Sequence, residues 1–134
     1  MLESETQIRI RFADCDPMGH VNNAVYFTYM EQARVELFKK VFTLKEGPIK
    51  PEHFPFIIAE ISCQFLKPSL FDQTLNVSAE IVEIKNSSFI ILYESTDARS
   101  GEVVSTGRSV QVWYDYNLQK SRPIPENFRK IMEG

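Results

Sequence analysis

Residues 6–12 alternate in character, with Thr6, Ile8, Ile10 and Phe12 on one face and Gln7, Arg9 and Arg11 on the other. A period of two predicts a half-buried strand. The next stretch, ADCDPMGHVNN, is rich in Asp, Asn, Gly and Pro, and its turn chemistry predicts a loop. From about Asn23 the period lengthens. Tyr26, Met30, Ala33, Leu37 and Val41 form the stripe of an amphipathic helix, which Tyr29 and Phe38 widen. Asn22 or Asn23 is a natural N-cap, because an amide oxygen accepts from a free NH in the first turn. Gly47, Pro48 and Pro51 forbid the helix from running much further.

Phe56 to Lys67 reads as a strand dense in Ile and Phe, stopped by Pro68. Leu75, Val77, Ala79 and Ile81 alternate with Asn76, Ser78 and Glu80, which predicts another strand. Asn86–Ser87 forms a hairpin turn into Phe89–Thr96, and Arg99–Ser100–Gly101 a second turn into Val103–Asp115. In that last strand Val104, Thr106, Arg108, Val110, Val112 and Tyr114 share a face, so an inward arginine at 108 needs a partner. A short helix starting at Pro125 closes the chain. Strand, long helix, then four strands joined by short turns implies an α+β class with an antiparallel sheet. Nothing in the chain reads as a repeat or a linker, and residues 1–134 read as one domain.

Composition narrows the function classes. The formal net charge is −3, and no basic stripe points to nucleic acid. No apolar run resembles a signal peptide or a membrane span, so a cytoplasmic protein is expected. Cys15 and Cys63 read as reduced thiols. His20 and His53 lie far apart with no cysteine cluster, so neither a metal nor a cofactor is expected.

The loop before the helix holds the candidate chemistry. A helix N-terminus presents unpaired amides and a partial positive charge. Amides aimed at a reacting carbonyl oxygen make an oxyanion hole, and a carboxylate beside them serves as nucleophile or general base. Gly19 permits a sharp turn that brings backbone close to a ligand. The competing reading is structural: Asp and Asn before a helix also cap it or close Asx-turns.

The stretch RFADCDPMGHVNNAVYFTYMEQAR resembles the signature of the 4-hydroxybenzoyl-CoA thioesterase-like hotdog family. The matching positions are Phe12, Asp14, Asp16, Gly19, Tyr26, Tyr29, Glu31, Ala33 and Arg34. The resemblance implies a hotdog fold, a five-stranded antiparallel sheet wrapped around one long central helix, and hydrolysis of an acyl-CoA thioester. It puts the catalytic carboxylate on Asp16 and the oxyanion donor at the backbone amide on or near Asn23. Gly19, His20, Val21 and Asn22 would line the reacting end. It also implies a homodimer, whose partner strand near Ile58 to Ser62 shapes the acyl pocket, and pairing of dimers into a homotetramer. The His-Val-Asn-Asn version resembles the subgroup acting on long-chain acyl-CoA, which leaves the role of His20 open.

Other residues carry weaker expectations. Asp14 is expected to brace the loop or pair with Arg11 or Arg34, and Glu31 to pair with Arg34 on the helix. Lys67, Arg108, Lys120 and Arg122 are candidates for the CoA phosphates, Arg108 first among them. Three rivals stand beside the acyl-CoA reading. A thioesterase for acyl carrier protein would carry a basic docking patch at the tunnel mouth. A hotdog dehydratase would pair a histidine with a helical carboxylate. A non-catalytic acyl-binding module would have no use for Asp16.

Overall fold

β1 (Glu3–Arg9) begins earlier than the alternation suggests and keeps Ser4 and Ile8 buried on the helix side. The computed structural model describes residues 1–42 and 55–134, so Gly47, Pro48, Pro51 and His53 lie outside the described residues. After Ile10 the chain tightens into a 3₁₀ turn at Phe12–Asp14. That turn swings Phe12 out to 80% exposure, away from the face that the alternation assigns it with Ile10.

Helix α1 (Asn23–Val41) starts at the predicted place, with Asn22 as N-cap accepting from the Ala24 amide at 3.0 Å. The whole predicted stripe is buried, with Tyr29, Arg34 and Phe38 beside it. β2 (Phe56–Phe65), β3 (Thr74–Ile84), β4 (Ser88–Asp97) and β5 (Val103–Asp115) complete an antiparallel sheet of order β1-β3-β4-β5-β2. A two-residue strand β6 (Lys120–Ser121), not expected from the sequence, pairs with the end of β5. The helix α2 (Glu126–Glu133), with Pro125 as its N-cap, buries Met132. The five long strands wrapping α1 are the expected hotdog arrangement.

The face of β5 is a correction. Val104, Ser105, Ser109, Gln111 and Trp113 are the buried positions, so of the predicted face Val104 alone is buried and the Thr106–Arg108–Val110 stretch points outward. Space under the helix is the physical reason. A Cβ at Gly107 would stand 2.5 Å from Met30 Cε, so β5 offers only small or hydrogen-bonding side chains there. Those polar groups are satisfied in a buried chain. Arg34, 8% exposed, donates from Nη1 to Tyr93 Oη at 3.1 Å, and Tyr93 Oη lies 2.6 Å from Ser109 Oγ. Ser109 contacts Gln111, whose Nε2 donates to the Phe89 carbonyl at 3.1 Å. Arg34 also lies 4.0 Å from Glu31, the expected helical pair, but Tyr93 is its closer partner.

Candidate active site

Every element of the site lies at the end of the sheet where α1 begins. The stretch from Asp14 to Asn22 folds as a small hairpin. Asn22 N donates to the Asp14 carbonyl at 2.9 Å, Cys15 and Val21 face each other as a bridge pair, and Asp16 N donates to the His20 carbonyl at 2.8 Å. Gly19 N closes the turn onto the Asp16 carbonyl at 3.0 Å with a φ of +83°, a conformation that costs any side-chain-bearing residue. Pairing of His20 with Leu70, and a bond from Val21 N to the Ser69 carbonyl at 2.9 Å, fasten this hairpin to the segment after β2.

Asp14 is the brace. It is 3% exposed and accepts from Arg11 N at 3.0 Å, Arg11 Nη2 at 2.8 Å and the Tyr29 hydroxyl at 2.8 Å. Burial alone would raise its pKa, but the hydrogen bonds from Arg11 and Tyr29 outweigh it and hold the carboxyl below its ordinary value. Burial, with the bond to Asp14, pushes the Tyr29 phenol well up. Tyr26, also raised by burial, donates to Ser69 Oγ at 3.0 Å and so pins the first helical turns to the post-β2 segment.

Asp16 stands differently. Its Oδ1 accepts from Met18 N at 2.9 Å, and its other oxygen makes no hydrogen bond among the described residues. The side chain lines a cleft of about 210 Å³ together with His20, Val21, Asn23, Tyr26, Phe65, Leu66, Lys67 and Pro68. Asn23 is the first residue of α1. The Asn22 side chain takes the Ala24 amide and the Asn22 carbonyl takes the Val25 amide at 2.9 Å, which leaves the Asn23 amide without a partner among the described residues. The residues that carry an unengaged carboxylate oxygen and an unengaged helix-start NH therefore line one cleft, with an apolar wall whose Phe65 ring packs 5.5 Å from that of Tyr26. That set can grip a carbonyl oxygen while presenting a base or nucleophile to its carbon.

The predicted residues separate into groups. Asp16, His20, Val21 and Asn23 meet in the cleft. Gly19 shapes the turn, and the Asn22 side chain is engaged as the helix cap. Ile58 lies off the cleft, beside Ile61, Phe27 and Arg34 in a groove of about 350 Å³ between α1 and β2. Ser62 and Arg108 face one another on the outer side of the sheet, where Arg108 Nη1 meets Glu60 Oε1 at 3.2 Å; the expected inward arginine is thus overturned. Lys120 and Arg122 lie at β6, and Arg122 pairs with Asp115 at 3.2 Å. Tyr26, Phe65, Leu66 and Pro68 are cleft residues that the sequence pattern assigns to core or strand end. Pro68, the predicted stop of β2, is the available signal.

The chain is 23% identical over 129 residues to the long-chain acyl-CoA thioesterase FadM of Escherichia coli (strain K12), covering 96% of each chain. A thioesterase from Thermus thermophilus, solved with coenzyme A and Zn, superposes with a TM-score of 0.83 at 29% identity, covering 97% of this chain and 91% of that one. An Asp-to-Asn mutant of 4-hydroxybenzoyl CoA thioesterase, solved with 4-hydroxybenzoyl CoA, shares the fold with a TM-score of 0.83 at 19% identity over 98% of this chain and 99% of that one. The resemblance read from the Phe12-to-Arg34 signature agrees with these relatives. With its sequence model matched across residues 10–132, the chain belongs to the thioesterase-like superfamily.

Proposed function

We propose that the chain hydrolyses an acyl-CoA thioester to a free carboxylic acid and CoA. The observation that carries this is the shared cleft of Asp16, with one carboxylate oxygen unengaged, and Asn23, with an unengaged backbone amide. The thioester carbonyl oxygen accepts from the Asn23 NH, where the helix dipole favours developing negative charge. Asp16 then acts in one of two ways. As nucleophile it forms a mixed anhydride and expels the CoA thiolate, and water hydrolyses the anhydride. As general base it takes a proton from water, which attacks the carbonyl carbon directly. His20 and Val21 wall the reacting end, and Gly19 and Asn22 hold its backbone in place.

The working unit in this reading is a homodimer of single hotdog domains, with dimers pairing into a homotetramer. β2 is an edge strand whose Ile57, Ile58, Ile61 and Phe65 are exposed, and an edge of that kind favours pairing with another copy. The second copy would cover the groove between α1 and β2, bringing its own Ile58-to-Ser62 strand to the acyl pocket. A cytoplasmic setting is part of the reading and is supported by two free cysteines. Among the described residues no helix is long and apolar enough to cross a membrane.

A carrier-protein substrate is less well supported. Lys67, the lysine that lines the cleft, is already matched with Glu102, as are Arg9 with Asp72 and Arg11 with Asp14. The same pairing argues against nucleic acid.

A thiol-release assay over short, long, branched and aromatic acyl-CoAs tests the proposal. Turnover of at least one class is expected, with a loss of about 10²-fold or more in Asp16→Asn. Near-normal rates in that variant would refute the assignment of Asp16.

A further inference from the structure

We infer that Lys67 is a catalytic residue, the cation that stabilises the departing thiolate. The inference rests on the thioester reading above and assigns the one step which that reading leaves without a partner. In both routes open to Asp16, negative charge starts on the carboxylate, passes to the carbonyl oxygen and ends on sulfur. A C–O bond forms, and the C–S bond breaks with its electron pair staying on sulfur. The Asn23 NH serves the oxygen. An alkyl thiol is a weak acid, so its anion gains from a fixed positive charge beside it as the bond breaks. Lys67 keeps its own proton, and the released thiolate is protonated by solvent.

Lys67 lines the cleft of about 210 Å³ together with Asp16, His20 and Asn23, but it reaches the cleft from another part of the chain, the segment after β2. Its backbone is held. Lys67 N donates to the Val104 carbonyl at 3.1 Å, and Pro68 restricts the residue before it to an extended conformation. The ammonium contacts Glu102 and makes no other hydrogen bond among the described residues, and an ammonium has more N–H groups than one such contact uses. Glu102 does not line the cleft, so the cation belongs to the cleft wall and its counterion does not. Both side chains are about half exposed, and an ion pair in that setting is weak enough to let the cation turn to a second anion.

Two other assignments fit less well. His20 also lines the cleft, but an ordinary imidazole is neutral above about pH 7, where a lysine keeps its charge. The phosphates of CoA lie a whole pantetheine arm from the thioester. A cation in the same small cleft as Asp16 therefore answers the sulfur rather than the phosphates.

Leaving-group dependence tests the assignment. One acyl group is offered at about pH 8 as its CoA, pantetheine and thiophenol thioesters to wild type, Lys67→Met and Lys67→Arg. Alkyl thiolates are basic and need help to leave, whereas thiophenolate is a much weaker base. Lys67→Met should lower kcat/KM about tenfold or more, and by a similar factor, for the CoA and pantetheine esters, but about twofold or less for the thiophenol ester. Lys67→Arg should recover most of the alkyl rates, because it restores the charge. A loss confined to the CoA ester would make Lys67 a phosphate contact, and an equal loss on all three esters would make it a wall residue. Either result overturns the inference, as do unchanged rates throughout. A wild type that turns over none of the esters fails the thioester reading and takes this inference with it, whereas wild-type turnover without the leaving-group pattern in the variant fails the inference alone. The position is half exposed, and Lys67→Gln carries the same expectations should Lys67→Met fold poorly.

Discussion

The Tyr29 hydroxyl donates to Asp14 Oδ2 at 2.8 Å, tying the second turn of α1 to the loop that carries Asp16. Tyr29→Phe removes that donor and leaves the buried carboxylate one bond short. The expected cost is about 1–2 kcal/mol of stability, read from urea unfolding. The same pair makes stability depend on pH. The folded-state pKa of Asp14 lies below its ordinary 3.8, so its contribution is fully present above that value and is lost as pH falls through the lower folded value. The advantage of wild type over Asp14→Asn should therefore be largest near neutrality and shrink in strong acid. An advantage that stays constant down to the most acid sample would contradict this account.

Gly19→Ala probes the turn in front of the cleft. A Cβ there meets nothing within 4 Å, so any effect comes from holding a side-chain-bearing residue at φ +83°. Destabilisation of about 1–2 kcal/mol is expected, with a fall in kcat/KM larger than the stability change explains, because the turn aims Asp16. Unchanged kinetics in a destabilised variant would show that the turn does not set the carboxylate.

The two routes open to Asp16 leave different isotopic records. Under single turnover in ¹⁸O-water, attack of water on the Asp16 carbonyl of a mixed anhydride inserts label into that side chain, whereas general-base catalysis puts it only in the released acid. Mass spectrometry of the peptide spanning residues 12–34 reads the difference. The unengaged oxygen at Asp16 is available to either route; label in the peptide would establish the nucleophilic one, and label confined to the released acid is the outcome that general-base catalysis requires.

Ile61→Glu tests the edge strand. Ile61 is exposed and faces the groove beside Phe27 and Arg34. A charge there should shift the protein to the monomer in size-exclusion chromatography with light scattering, and lower activity with it. A variant that stays dimeric would move the interface elsewhere.

Much of this architecture is visible in the chain because local forces write it. The N-cap at Asn22 and the stripe from Tyr26 to Val41 depend on residues a few positions apart, and both appear as read. Asp16 and Asn23 share a cleft for the same reason, since the hairpin that carries one ends where the helix that begins with the other starts. The failures are tertiary. Phe12 keeps the strand alternation, but the 3₁₀ turn that brings Asp14 to Tyr29 turns it outward. β5 turns Val110 and Val112 outward and Ser105 and Ser109 inward because Met30 and the Arg34–Tyr93 network occupy the space beneath it, and nothing within the strand announces its neighbours. β6 is too short to carry a pattern at all.

The hairpin that leads from Asp16 to the start of α1 closes on itself: Asp14 to Asn22, Cys15 to Val21, Asp16 to His20. The spacing between acid and amide is thus settled within a handful of adjacent residues, while the surfaces that meet the rest of the substrate come from distant strands and loops. On the proposed reading, wall residues such as Phe65 and Leu66 can therefore be altered to suit another acyl group while the short-range geometry of the hairpin stays as it is.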